Sequence, residues 1–556
     1  MARAARRLDS RGGRGRVAAR PGWGRTSAAG ALGVLPVAFL GVFFAWPVVA
    51  ILRLGFADGG VADTLAAPST WRLAAFTVAQ ALAATVVAVL AGFPLAYLLA
   101  RVRLPGIAVV RTLVLVPFVL PTVVVGLAFR ALWPDGGVFG IVAANAFFNV
   151  AVVARTVGGL WSQLDRRAED AARSLGASRR RAFRTVTLPA LLPAVSSAAA
   201  VVFLFCATSF GVVLMLGGNR YRTLETEIYL RTVNLLDLSG AAALSLVQLA
   251  AVIAALAVGA VARRRRESAA GLRTARHSAR RPEGGEWAVV AVAGVVLCLL
   301  LTPIVALLGR SVSGRDGFTW DGYRALSGSG EGGALTVTGW DAALNSLRTA
   351  SDATMLALIV GVLAAVTVVV TRRSPRRGAR VAGEITDAAL MLPLGVSAVT
   401  VGFGYLVTLG ELPWDLRTSP LLVPFAQALV IIPLVVRLVL PVLRSVDERL
   451  RQAAATLGAG PARVWREVDL PLVARSLVAA AAFGYVVALG EFGATSFLAR
   501  PDAPTLPVAV ADLVSRPGEL NQLMAYAGCV LLMVVTALVA ALIESVRAPH
   551  ARLGEF

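Results

Sequence analysis

Apolar residues along this chain gather in long blocks separated by short polar breaks, and arginine crowds into every second break. At about 20 apolar residues per bilayer crossing, the blocks fall near 31–54, 75–100, 110–130, 138–158, 188–214, 240–262, 287–309, 344–370, 384–409, 420–442, 473–492 and 522–545. The pattern predicts an all-α polytopic membrane protein with about twelve transmembrane helices. The arginine-rich breaks are Arg101 to Arg111, Arg166 to Arg184, Arg263 to Arg281, Arg372 to Arg380, Arg444 to Arg466, and the tail with Arg547 and Arg552. All fall on the side of the N-terminal arm, which carries Arg3, Arg6, Arg7, Arg11, Arg14, Arg16, Arg20 and Arg25 against Asp9. The opposite connections, such as 55–72, 132–137 and 410–419, hold Asp58, Asp63, Asp135, Glu411 and Asp415 with few arginines. Because basic loops stay in the cytoplasm, both termini are expected there, behind an uncleaved first span.

Composition agrees with a chain that lies mostly in lipid. The strictly apolar set makes up 57% of the 556 residues and charged residues only 15%, with a mean hydropathy of +0.74; a soluble or disordered chain is excluded. The formal charge of +22 reflects arginine alone, since the sequence contains no lysine. We read it as loop orientation and not nucleic-acid binding. A P-loop needs its lysine on the β- and γ-phosphates, so this chain cannot hydrolyse ATP by that machinery. Cys206, Cys298 and Cys529 lie in apolar blocks without CxxC spacing, and His277 and His550 are far apart. No disulfide framework, metal site or cofactor is expected, and no GxSxG, HExxH or paired-carboxylate pattern marks an enzyme.

The chain is also a duplication. DRRAEDAARSLGASRRRAFRTVTLPALL, beginning at Asp165, aligns without gaps on DERLRQAAATLGAGPARVWREVDLPLVA, beginning at Asp447. Asp165 and Asp447, Gly176 and Gly458, Phe183 and Trp465, and Pro189 and Pro471 are all separated by 282 positions. The register continues to Phe210 and Phe492, Gly211 and Gly493, and Thr223 and Thr505, and extends back to Arg155 and Arg437. Nearer each half's start it drifts to 276, at Pro117 and Pro393 and at Gly126 and Gly402. We expect a basic arm (1–30), a first six-helix half (31–262), a basic linker (263–286), a second homologous half (287–545) and a tail (546–556). Six spans per copy give both halves one orientation, with a path for solute between them.

The most conserved-looking register between the copies falls on about 30 polar residues, long for a connection in a compact bundle. An amphipathic helix from Asp165 to Leu175, a break at Gly176 and a second helix from about Ser178 to Thr187 are expected to make a rigid projection. Its pattern, Asp170-Ala171-Ala172-Arg173-Ser174-Leu175-Gly176 and Gln452-Ala453-Ala454-Ala455-Thr456-Leu457-Gly458, each followed by Leu-Pro, resembles the EAA loop of binding-protein-dependent ABC importer permeases. The resemblance implies a type I ABC importer permease-like fold in the bacterial cell membrane. It further implies two separate ATPase subunits docked at Asp170, Ala171, Ala172, Gly176, Gln452, Ala453, Ala454 and Gly458, and an extracytoplasmic substrate-binding protein. Gln452 departs from the acidic residue of the family pattern. Fused halves are characteristic of the thiamine and ferric-iron branches, and FFNVAVVAR (147–155), ATSFGVVLMLGG (207–218), TEIY (226–229) and LGEFG (489–493) look most like thiamine permeases.

Within the blocks, Asn145, Asn149, Gln427, Ser209 and Glu491 are polar residues in apolar surroundings. The amides suit interhelical hydrogen bonds. Glu491 is a candidate for the translocation path, with Ser209 at its duplicate position and Asn145 and Gln427 deeper in the bundle. The rival reading is an ion-coupled secondary transporter of six plus six helices, which would be expected to carry buried acid–base pairs.

Overall fold

The computed structural model describes residues 23–57, 60–218, 220–267, 280–374, 376–408 and 419–547. The start of the basic arm, the middle of the linker with His277, and the end of the tail with His550 lie outside them. Among the described residues the chain is helical apart from loops and one two-residue hairpin, Ser313–Gly314 with Gly317–Phe318. Ten helices among the described residues are long and apolar enough to cross a membrane: Leu32–Phe56, Pro68–Arg101, Gly137–Gln163, Arg179–Ala207, Leu238–Ala257, Glu286–Ser311, Gly339–Arg372, Leu422–Ser445, Pro461–Gly490 and Glu519–Val539.

The two remaining expected crossings, 110–130 and 384–409, are not continuous helices. In the first half Ile107–Val119 and Thr122–Leu132 meet at 100°. Leu120 is extended there (φ −69°, ψ 136°) because it precedes Pro121, whose ring excludes a helical neighbour. In the second half Arg377–Ala389 ends before a short 3-10 turn at Leu392–Gly395, and Ala398–Thr408 follows after an extended Val396. Both breaks occur at the same place in the repeat.

The longest helices show how the duplication builds the core. Pro68–Arg101 and Gly339–Arg372 are 34 residues each, about 51 Å at 1.5 Å per residue. Each carries a buried stripe of small residues, Ala81, Ala84, Ala88 and Gly92 in one and Ala350, Ala353, Ala357 and Gly361 in the other. Small side chains let helices approach closely in lipid, where apolar burial gives no advantage over the acyl chains. Gly92 rests on Val153, and Gly361 on Val435, so that a methyl added at either would collide.

The halves also exchange their first helices. Gly33 packs on Thr367 of the second half, Phe43 lies 4.6 Å from the Phe425 ring, and Pro47 sits under Gly404. In return Glu286–Ser311 lies along Pro68–Arg101 and Thr122–Leu132 of the first half.

Candidate functional site: paired corners and a broken-helix interface

The two polar projections have one backbone. Asp165 and Asp447 each cap a nine-residue helix, Arg166–Ser174 and Glu448–Thr456, by accepting a backbone N–H two residues on at 2.9 Å. Such caps satisfy donors left free at a helix start. Both helices end in the same way: the N–H of Ala177 reaches the Ala172 carbonyl at 3.1 Å, and that of Ala459 reaches Ala454 at 3.0 Å. Gly176 and Gly458 both take φ +86°, the left-handed conformation that closes a helix most cheaply with glycine. Neither helix has a buried residue. Leu175 and Leu457, at the two corners, are 89% and 88% exposed. Asp170, Ala171, Gln452 and Ala453 are exposed beside them, with Ala172 and Ala454 half-buried.

Below each corner a short helix runs through a π turn, Phe183–Thr187 or Trp465–Asp469, into the next long helix. Pro189 and Pro471 have no N–H for the carbonyl four residues back, and the wider turn absorbs the mismatch. Thr187 donates to Glu169 at 3.3 Å, tying the first corner to its long helix. At the same positions of the second corner, Arg451 bonds Asp469 at 2.6 and 2.8 Å. Burial alone would lower the pKa of Arg451, but the Asp469 and Glu448 carboxylates raise it above its ordinary value.

The second feature lies where those long helices end. The chain breaks at 208–210 and at 491–493, and polar side chains hold both breaks. Gln80 donates to the Cys206 carbonyl at 2.7 Å, Asn145 to Gln80 at 3.0 Å, and Asn149 to the Asn145 carbonyl at 2.9 Å. In the second half Gln427, the duplicate of Asn145, donates to the Ala488 carbonyl at 3.2 Å. Asn145 and Gln427 thus sit at equivalent places, fixing the ends of equivalent helices.

Ser209 and Glu491 differ from one another. Ser209 is a buried link between helices, its N–H on the Cys206 carbonyl at 3.4 Å. The Glu491 carboxylate accepts the N–H groups of Ala494 (2.7 Å) and Thr495 (3.1 Å) and the Thr495 hydroxyl. It caps the short helix Thr495–Leu498, where oriented N–H groups favour an anion. Immediately after them Phe210 and Phe492 stack on each other, ring centres 5.3 Å apart. Two duplicate residues therefore meet where the halves meet. Around this contact Gly211 abuts Thr122 and Gly493 abuts Ala398, so the broken helices support the same segment in each half.

Several residues here were not singled out from the sequence. Gln80, Gln248 and Ser397 carry no pattern of their own. Glu225 stands one position before the TEIY segment, in a stretch expected to be a connection outside the membrane blocks. Instead Leu224–Val233 is a partly buried helix packed against Ala398–Thr408 of the other half.

A permease with two equivalent halves meeting at broken helices is the class this geometry defines. The chain belongs to the family described as binding-protein-dependent transport system inner membrane component, whose domain it contains twice, at residues 92–267 and 357–548. It is therefore a multi-pass inner-membrane permease of the ABC importer kind and not an ion-coupled secondary transporter. The thiamine transport system permease protein ThiP of Brucella abortus is 27% identical over 511 residues, covering 85% of this chain and 88% of that protein. ThiP of Escherichia coli is 25% identical over 493 residues, covering 84% and 88%. The molybdenum transport system permease protein ModB of Mycobacterium bovis is 34% identical over 239 residues, and there 39% of this chain accounts for 89% of the relative.

Proposed function

We propose that the chain is the membrane subunit of an ATP-driven thiamine importer. Its two corners are the docking points for separate ATPase subunits, one at Asp170, Ala171, Ala172 and Gly176 and the other at Gln452, Ala453, Ala454 and Gly458. The observation that carries the docking role is the repetition of one exposed corner with a bare leucine, Leu175 or Leu457, at its tip. A single exposed leucine would need no explanation, but the same one at the tip of the same corner in both copies is what a groove on a partner would bury. The arginine-rich connections, both termini and both corners face the cytoplasm in this reading, and a substrate-binding protein delivers solute to the opposite side. The divisions at 31–262 and 287–545 are the functional halves, and solute passes between them where Phe210 meets Phe492. Ser209, Glu491, Asn145 and Gln427 shape this path through the backbone segments they hold.

Thiamine is preferred to ferric iron because the relatives that align along most of the chain are named as thiamine permeases. The test is purification of the chain alone and with its co-expressed ATPase and binding protein, followed by reconstitution. The chain alone should hydrolyse no ATP, and the complex should import radiolabelled thiamine only with ATP. ATP hydrolysis by the chain by itself, or ATP-independent uptake, would refute the assignment.

A further inference from the structure

The least exposed carboxylate on the inter-half surface is Glu225, at 0% exposure. A charge so placed is costly unless something compensates it. Its partners are neutral: Gln248, from Leu238–Ala257, donates to one oxygen, and Ser397, from the break in the second half, donates to the other at 3.0 Å. Among the described residues it takes part in no ion pair. The Gln248 amide oxygen is itself buried and has no hydrogen-bond partner. Two acceptors are thus gathered at one buried place with fewer donors than they can use.

Aromatic rings stand on the same helix face. Tyr229 is four residues beyond Glu225, one turn along Leu224–Val233. Its ring lies 5.2 Å from Phe210 of its own half and 5.2 Å from Phe497 of the other, and Phe210 stacks on Phe492. A carboxylate beside a set of π faces is the chemistry that recognises a flat organic cation: charge on the acid, ring faces against ring or cationic centre. The members come from both halves. Glu225, Gln248, Phe210 and Tyr229 belong to the first, and Ser397, Phe492 and Phe497 to the second.

From this juxtaposition we infer that Glu225, with the Tyr229 and Phe210 rings, is the cation-binding point of the translocation path, covered by Ser397 when the halves are closed. Separation of the halves removes Ser397 and the second-half rings together, leaving the carboxylate and the Gln248 oxygen to a cationic ligand. The ligand class is an aromatic monocation, and this assignment rests on the thiamine reading above.

The experiment measures thiamine uptake by the full complex in proteoliposomes, with assembled complex quantified for each variant. Glu225→Gln should raise the apparent KM for thiamine at least tenfold, and Glu225→Asp should recover part of the loss. Ser397→Ala removes the group that competes with the ligand, so it should lower KM by a few-fold. A wild-type KM in Glu225→Gln overturns the site while leaving the thiamine reading intact. If Glu225→Gln does not assemble, Ser397→Ala decides: a raised KM with less assembled complex makes the pair a structural lock and overturns the site. Absence of thiamine uptake by the wild-type complex overturns the thiamine reading, and the site with it.

Discussion

The two corners superpose in plan and differ in how they are fastened. Each has an aspartate cap, a nine-residue helix, a left-handed glycine and an exposed leucine in the same order. The first is held to its long helix by one hydrogen bond, Thr187 to Glu169, and to the linker by Arg166 with Glu286 at 3.7 Å and Arg179 with the Glu283 carbonyl at 3.3 Å. Among the described residues the second is held by ions: Arg451 with Asp469 and with Glu448, and Glu448 with Arg373 at 2.5 Å. Duplication kept the cap, the glycine turn and the exposed leucine, and let the fastening and the charge at Asp170 and Gln452 diverge. The corner backbone is therefore common to both halves, and its attachment to the long helix is made differently in each.

Breaking the ionic fastening should have the largest effect. Arg451→Ala leaves the buried Asp469 carboxylate unpaired, at a cost of roughly 3–5 kcal/mol, and should detach the second corner, cutting ATP-driven uptake more than tenfold. The measurement is uptake beside the amount of ATPase retained on purification; undiminished uptake would make the ion pair dispensable.

Gly176→Val and Gly458→Val come next. Open space surrounds both positions, so the cost is conformational, roughly 1–2 kcal/mol for an L-residue in this region. Equal losses of coupling in the two variants would confirm that the corners are mechanically equivalent, whereas a loss in one alone would break the comparison. Glu169→Ala should be milder, about 1 kcal/mol for a single hydrogen bond. The double replacement Glu169→Arg with Thr187→Asp, which copies the second fastening into the first half, should restore uptake. Uptake no better than in Glu169→Ala would show that the fastenings are not interchangeable.

The smallest effect concerns the exposed acid. Asp170→Asn should lower ATPase retention by less than about fivefold, and Gln452→Glu should raise it slightly, since exposed ion pairs contribute about 0.2–1 kcal/mol. No change in either would mean that the corner docks by shape and leucine alone.

The duplication and the corners were legible because they rest on glycine, proline and capping residues whose backbone roles are local. The 282-position register placed a break at Gly176 and its duplicate at Gly458 without any knowledge of packing, and both take φ +86°. The break at Pro121 was not legible, because its residues are as apolar as those of any crossing and block length cannot distinguish a straight helix from two short ones. In the second half Glu384 and Asp387 stood inside the expected crossing 384–409 and marked its start as amphipathic, but not where the helix after Ala389 would break. Glu491 stood out as a charge in an apolar run, yet its surroundings depend on the short helix that follows it. Glu225 was hidden for the opposite reason. It lies in a segment polar enough to pass for a loop, and its burial comes from packing that the sequence does not show: Gln248 of its own half, with Ser397 and the Ala398–Thr408 helix of the other.

The exchange of first helices places the chain's assembly in time. Gly33 leaves the ribosome 334 residues before its neighbour Thr367, which at about 5–20 residues per second is an interval of roughly 17–67 seconds. Throughout it, the face that will meet Phe425 lacks its second-half neighbours and is left to lipid. For a membrane helix that wait is nearly free of cost, because acyl chains solvate phenyl rings as well as a protein neighbour does. A late-arriving second half can therefore claim a helix that has been standing in the bilayer since synthesis began.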